Sequence, residues 1–288
     1  MNIAKSEGPA PTLREVEIYD TTNSKIDFPA WIIPVSTEES QTLPFQGPEF
    51  IALVRQCAGY QDVQAQHVWL DNFDAAFVAV EPRPLCAFLS GNLAEWCQRT
   101  REPWRGTQEI LRDGRLPMWA SCGGAQGLAI LTAVGVDKPW DCPRCRDPKH
   151  PKLPVYTHIG HTGPGKCGEY GACIFETGPT FVRQVAKDPA FEGLPAEFET
   201  MESHCGQIEY VPEGWTLVAT NGRNGKTKTQ CIRINDRPIY AAQFHIEMLG
   251  TPDSSRKIMS NFLTLAKSWG GYNEHGRRLP PPLPLETK

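Results

Sequence analysis

Residues 116–131, LPMWASCGGAQGLAIL, constrain this chain more than any other stretch. The apolar run 116–120 reads as a buried strand, and Ala125, Gln126, Leu128, Ala129, Ile130 and Leu131 read as a helix. Between them stand Ser121, Cys122, Gly123 and Gly124, side chains small enough for a sharp turn. A strand that turns abruptly into a helix lifts the turn residue clear of the sheet. There, backbone N–H groups at the helix start can stabilise a thiolate or an oxyanion. This is the pattern of a nucleophile elbow with a thiol in place of serine. Taken alone, Cys122 is equally well a small buried apolar residue, as most lone cysteines are.

A second stretch, Ala241-Ala242-Gln243-Phe244-His245-Ile246-Glu247, tips that balance. Residues 238–244 form another strand-like apolar run, and His245 and Glu247, two apart, would share one face of a strand. A cysteine nucleophile needs a base to take its proton, and the base needs a carboxylate to fix its tautomer. Cys122, His245 and Glu247 supply that trio, and a helix expected at 252–267 follows, as at the carboxyl edge of an α/β sheet. The two stretches together resemble the class I (triad) glutamine amidotransferases, whose motifs run close to G-x-C-x-G-x-Q and Q-F-H-P-E. Here they stand as Ala120-Ser121-Cys122-Gly123-Gly124-Ala125-Gln126 and Gln243-Phe244-His245-Ile246-Glu247.

The resemblance extends over about 85–266 and implies a single α/β domain at 13–270. Its central, mostly parallel sheet is flanked by helices in the flavodoxin-like manner, with an irregular insertion at 137–170 after the nucleophile helix. It also implies a glutaminase subunit. Cys122 attacks the side-chain amide of glutamine, His245 protonates the departing ammonia, and His245 then activates water against the γ-glutamyl thioester. The oxyanion falls to the N–H groups of Gly91 and Gly123. Gln126, Ser203 and His204 line the glutamine pocket, His204 having rival readings as a packed structural histidine or a second base. Ala120, Ile246 and Asn92 depart from the family pattern without removing a reactive group. No cofactor is required for glutamine hydrolysis. A chain of 288 residues leaves no room for the synthase that would use the ammonia, so a separate acceptor subunit is expected. Two rival readings stay open: a stand-alone γ-glutamyl hydrolase or transferase, and a catalytically idle binding module.

Composition narrows the surroundings. A net charge of −4 and a pI near 6.0 offer no overall basic surface for nucleic acid or an anionic membrane. No apolar run reaches the roughly 20 residues of a membrane span, and 1–12 is a loose leader without a signal-peptide core. Ten cysteines in a chain of this length read as reduced thiols in the cytoplasm.

Elsewhere, strands are expected at 13–19, 30–35, 64–70 and 85–89, and helices at 48–58 and 104–112. Residues 71–83 are weakly helical, and 171–240 should hold short strands and turns. The segment 137–170 fits the family least. Cys142 and Cys145 form a C-P-x-C turn that begins many structural zinc sites, with Cys167 and one of His150, His158 or His161 as further ligands. The segment has few apolar residues for a core of its own, so a structural zinc would explain its folding; the other reading is a surface loop with reduced thiols. The Pro-rich tail at 271–288 is polyproline-like and stands outside the core.

Overall fold

A computed structural model of the chain describes residues 31–36, 48–58, 63–79, 84–89, 91, 96, 100–138, 140, 155–159, 174–235, 237–248 and 250–269. The leader, the strand expected at 13–19 and the Pro-rich tail lie outside them.

Strand β1 (Trp31–Ser36) leads to helix α1 (Pro48–Ala58), where Phe50, Ile51 and Val54 are buried at helical spacing. The strand expected over 64–70 is two short pieces, β2 (Gln64–Ala65) and β3 (Val68–Trp69), both parallel to β1. The ambiguous stretch 71–83 contains one short helix, α2 (Ala75–Val78), whose first turn is capped by Asp74 accepting the Phe77 N–H at 2.8 Å. Next come β4 (Cys86–Leu89), α3 (Arg105–Asp113), β5 (Met118–Ser121) and α4 (Gly123–Ala133). Gly114, at φ 66°, ends α3 in the left-handed conformation, its N–H on the Ile110 carbonyl at 2.9 Å. The remaining elements are β6 (Tyr156–His158), β7 (Glu176–Gln184), β8 (Glu197–His204), β9 (Gly206–Ile208), β10 (Trp215–Asn221), β11 (Cys231–Ile234), β12 (Ile239–Ala242) and α5 (Asp253–Trp269).

The main sheet runs β2-β1-β4-β5-β12-β11-β10-β7-β8, with β3 also on β1. From β2 to β12 the neighbours are parallel, and from β12 to β8 they are antiparallel. The parallel sheet expected from the sequence is therefore the half that runs from the β2 edge to β12. β11 ends at Ile234 and β12 begins at Ile239, a connection too short for a parallel crossover. β4, β5 and β12 are buried at every position, because both faces of the central sheet are covered. On one face Trp119 stacks on Tyr240 at 5.2 Å and meets Phe262 of α5 edge-on at 5.6 Å, and Phe88 bridges Phe262 to Phe50 of α1. On the other, Trp96, Trp104 and Trp140 pack edge-on around α4. Each such ring contributes about 1.5–3 kcal/mol by leaving water.

Of the segment 137–170, the described residues are 137, 138, 140 and 155–159. Within it β6 pairs antiparallel with β9. Trp140, Val155 and Tyr156 are buried in the core shared with α3 and α4, and Ile159 is buried as well. These apolar residues need no core of their own because the main one takes them in.

Candidate active site

The adjacent parallel strands β4, β5 and β12 end at one edge of the sheet. Three residues from the sequence reading gather there. Gly91 lies two residues beyond β4, Cys122 directly after β5, and His245 three beyond β12.

Cys122 has φ 52° and ψ −115°, and is the one non-glycine residue with positive φ among the described residues. Such a backbone costs on the order of 1–3 kcal/mol and persists only where its surroundings fix it. Here the Cys122 N–H donates to the Ala242 carbonyl at 2.8 Å, and the Cys122 carbonyl accepts the Gln126 N–H at 3.1 Å. The turn is thus pinned to β12 on one side and to the first turn of α4 on the other. Gly123 opens α4, so its N–H belongs to the set without an intrahelical acceptor.

His245 is equally fixed. His245 Nδ1 stands 2.5 Å from Glu247 Oε1, and Glu247 Oε2 accepts the Ser121 hydroxyl at 2.8 Å and the Ile246 N–H at 2.9 Å. Glu247 accepting at Nδ1–H leaves Nε2 as the nitrogen that can take a proton. Burial works to lower the pKa of His245, but the Glu247 carboxylate, and after it Cys122, outweigh it and hold the ring well above the ordinary histidine range. Gly91 abuts both partners. A side-chain carbon there would lie 3.5 Å from Cys122 Cβ, 3.6 Å from His245 Cε1 and 3.8 Å from Cys122 Sγ.

The antiparallel half of the sheet curls back to this edge. β8 stands four strands from β12 in sheet order, yet the His245 N–H donates to the Met201 carbonyl at 2.8 Å. The Cys122 thiol donates to the Ser203 carbonyl at 3.6 Å. Ser203 brings its backbone to the site, since alternation along β8 leaves its side chain exposed while Glu202 and His204 are buried. His204 Nδ1 is 2.8 Å from the Gly206 carbonyl, and Nε2 is 2.8 Å from Glu202 Oε2 and 3.5 Å from Glu176 Oε2. Gln126 is buried, with its Oε1 accepting Trp96 Nε1–H at 2.9 Å and its Nε2 donating to Gln243 Oε1 at 3.2 Å. Its amide thereby ties α4 to the loop that carries His245.

Sequence reasoning missed Ser121, Trp96, Glu176 and Glu202. Ser121, beside the nucleophile in the motif, had a signal. The other three are remote in sequence and had none. The proposed zinc ligands Cys142, Cys145, His150, His161 and Cys167 lie outside the described residues, as does the side chain of His158. Among the described residues no group of three or more His, Cys, Asp or Glu is placed to hold a metal ion. Among the described residues Cys57, Cys86, Cys122 and Cys231 are free thiols, and burial pushes Cys86 and Cys231 well above the usual thiol range. No described helix is long and apolar enough to cross a membrane.

Comparison with known proteins gives one family and one fold. The model of the family "Glutamine amidotransferase class-I" matches residues 100–265. A glutamine-hydrolysing GMP synthase subunit of Thermoplasma acidophilum is 34% identical over 161 residues, which are 56% of this chain and 62% of that protein. The GMP synthase of Thermosipho melanesiensis is 36% identical over 105 residues, 35% of this chain and 18% of that protein. The aminodeoxychorismate synthase of Streptomyces griseus is 28% identical over 184 residues, 62% of this chain and 20% of that protein. The chain therefore spans less than two thirds of each of these relatives. A crystal structure of a GMP synthase subunit from Thermoplasma acidophilum superposes with a TM-score of 0.57 over 83% of this chain and 95% of that one, at 21% identity. At that identity the likeness speaks for the fold.

Proposed function

Because this chain belongs to the class-I glutamine amidotransferase family, we propose that it hydrolyses the side-chain amide of glutamine at Cys122 and passes the ammonia to a separate synthase subunit. The observation that carries this reading is the meeting of Cys122, in its strained turn, with the buried His245–Glu247 pair.

In the reaction, His245 Nε2 takes the thiol proton and the thiolate sulfur bonds to the amide carbon. The oxyanion so formed faces the Gly91 and Gly123 N–H groups. When the carbon–nitrogen bond breaks, the imidazolium returns the proton to the nitrogen and ammonia leaves. His245 then deprotonates water, which attacks the thioester, and glutamate departs as sulfur regains its proton. Glu247 stabilises the imidazolium in both halves, anchored by Ser121 and the Ile246 N–H. Ser203, His204 and Gln126 belong to the glutamine side of the site: Ser203 offers its carbonyl, while His204 and Gln126 hold the walls. The cycle consumes only water and glutamine and needs no cofactor. Relatives named as single subunits of GMP synthase favour a partner on a separate chain, and the free thiols suit a reducing, cytoplasmic setting. A structural zinc at Cys142, Cys145 and Cys167 remains part of the proposal for 137–170, tested by elemental analysis of protein purified without added metal.

Glutamate release from glutamine, measured with and without a co-purifying synthase, tests the function. Release that needs Cys122 and rises with the partner is expected. Turnover of γ-glutamyl conjugates in preference to glutamine, or no labelling of Cys122 by a glutamine-like electrophile, would overturn it.

A further inference from the structure

The structure holds a second histidine cluster beside the first. His204, Glu202 and Glu176 are buried, their side chains 1%, 0% and 4% exposed. Glu176 and His204 are direct cross-strand partners of β7 and β8, and Glu202 lies two residues before His204 on the same face. Among the described residues, each atom that pairs with a His204 ring nitrogen is an acceptor. Nδ1 meets the Gly206 carbonyl oxygen at 2.8 Å, and Nε2 meets Glu202 Oε2 at 2.8 Å and Glu176 Oε2 at 3.5 Å. A neutral imidazole would turn a bare nitrogen toward one of them. Glu176 also accepts the N–H groups of Lys226 at 2.6 Å and Thr227 at 3.2 Å. Neither oxygen of Glu202 accepts an aligned hydrogen bond, so the ring is its closest compensation for burial.

Building on the thiolate reading above, we propose that Glu202, backed by Glu176, is a positioning residue that keeps His204 a charged imidazolium beside the nucleophile, where its charge supports the Cys122 thiolate. The peptide that carries His204 also carries the carbonyl in contact with the Cys122 thiol. The titratable groups around the ring are Glu202 on its own strand, Glu176 on β7, Cys122 at the elbow and, beyond Glu202, His245. Burial opposes the charge on His204, but Glu202, then Cys122 and Glu176, raise its pKa above the ordinary value. Burial likewise pushes Glu202 up, countered by His204. His245 takes and returns the proton, while His204 holds its charge still.

The test uses the full chain and a reagent indifferent to glutamine. Alkylation of Cys122 by iodoacetamide, followed by mass spectrometry across pH, should be about threefold or more slower in Glu202→Gln at pH 7. The deficit should close toward about pH 10, where thiols ionise unaided. An equal deficit at every pH, or none, with the thermal midpoint retained, would overturn the proposal. If Glu202→Gln does not fold, nitrogen-15 NMR of the wild-type His204 ring decides: two ring protons at pH 8 are expected, and one would overturn it. A chain that alkylates as expected but releases no glutamate would count against the proposed function and leave this inference standing.

Discussion

The two buried histidines make opposite use of the same chemistry. His245 has one carboxylate, Glu247, on Nδ1, and its Cε1 edge lies against the space that Gly91 leaves open. His204 has acceptors at both nitrogens, with Glu202, Glu176 and the Gly206 carbonyl around it. A ring fixed on one side can exchange a proton on the other, whereas a ring fixed on both sides is a standing charge. The difference comes from position. His245 follows a parallel central strand and opens on the sheet edge, while His204 is walled in by β7 of the antiparallel wing and by Gly206 at the start of β9, in the separate β6–β9 pair.

The sharpest way to break this contrast is to remove each ring. His245→Ala should lower glutamate release by about 10³-fold or more, as should Cys122→Ser, because each removes a member of one proton-transfer unit. His204→Ala should cost far less, on the order of tenfold, since it removes a charge and no transfer step. The reverse ranking in a glutaminase assay would exchange the two roles.

Glu247→Gln comes next. The amide keeps a contact to the ring but not the charge, so partial activity should remain, on the order of a hundredfold down. Without the carboxylate that raises it, the His245 pKa falls, and the limb of the pH–rate profile that reports it should move to lower pH. An unmoved limb would mean that Glu247 orients the ring without tuning it.

Gly91→Ala probes the open side of His245. The added methyl meets its neighbours at 3.5–3.8 Å, an ordinary contact, so the fold should hold. It would occupy space next to both sulfur and ring, so KM should rise severalfold, read by steady-state kinetics. Gly127→Ala gives the converse on the far face of α4. Its methyl would overlap the Trp104 ring, an overpacking that should cost about 1–3 kcal/mol in denaturant unfolding.

The smallest effect is on stability against pH. His245 and His204 both have folded-state pKa values above the unfolded one, so the folded chain holds these protons more tightly. That stabilisation is complete below about pH 6.5 and is lost as pH rises through the folded values. Glu202, raised by burial, acts in the same direction from its ordinary carboxylate range upward. Stability should therefore fall from about pH 6.5 upward, by about 1.4 kcal/mol per pH unit for each group still titrating, read as a falling thermal midpoint. In Glu202→Gln the fall should be shallower.

The sequence by itself determined the local parts. Alternation and apolar runs at 31–36, 86–89 and 239–242 made strands, helical spacing made α1, α4 and α5, and two short motifs named Cys122, His245 and Glu247. Short-range signals suffice there because the strand period, the helix period and the elbow are each encoded within a few residues. Only the tertiary structure decided that the strands from 176 to 234 pair antiparallel and curl back, so that the Met201 and Ser203 carbonyls meet His245 and Cys122. It alone set Glu176 opposite His204 and placed Trp96 on the Gln126–Gln243 tie. Those contacts join residues tens of positions apart, and each is fixed by sheet register and core packing, which no local pattern carries.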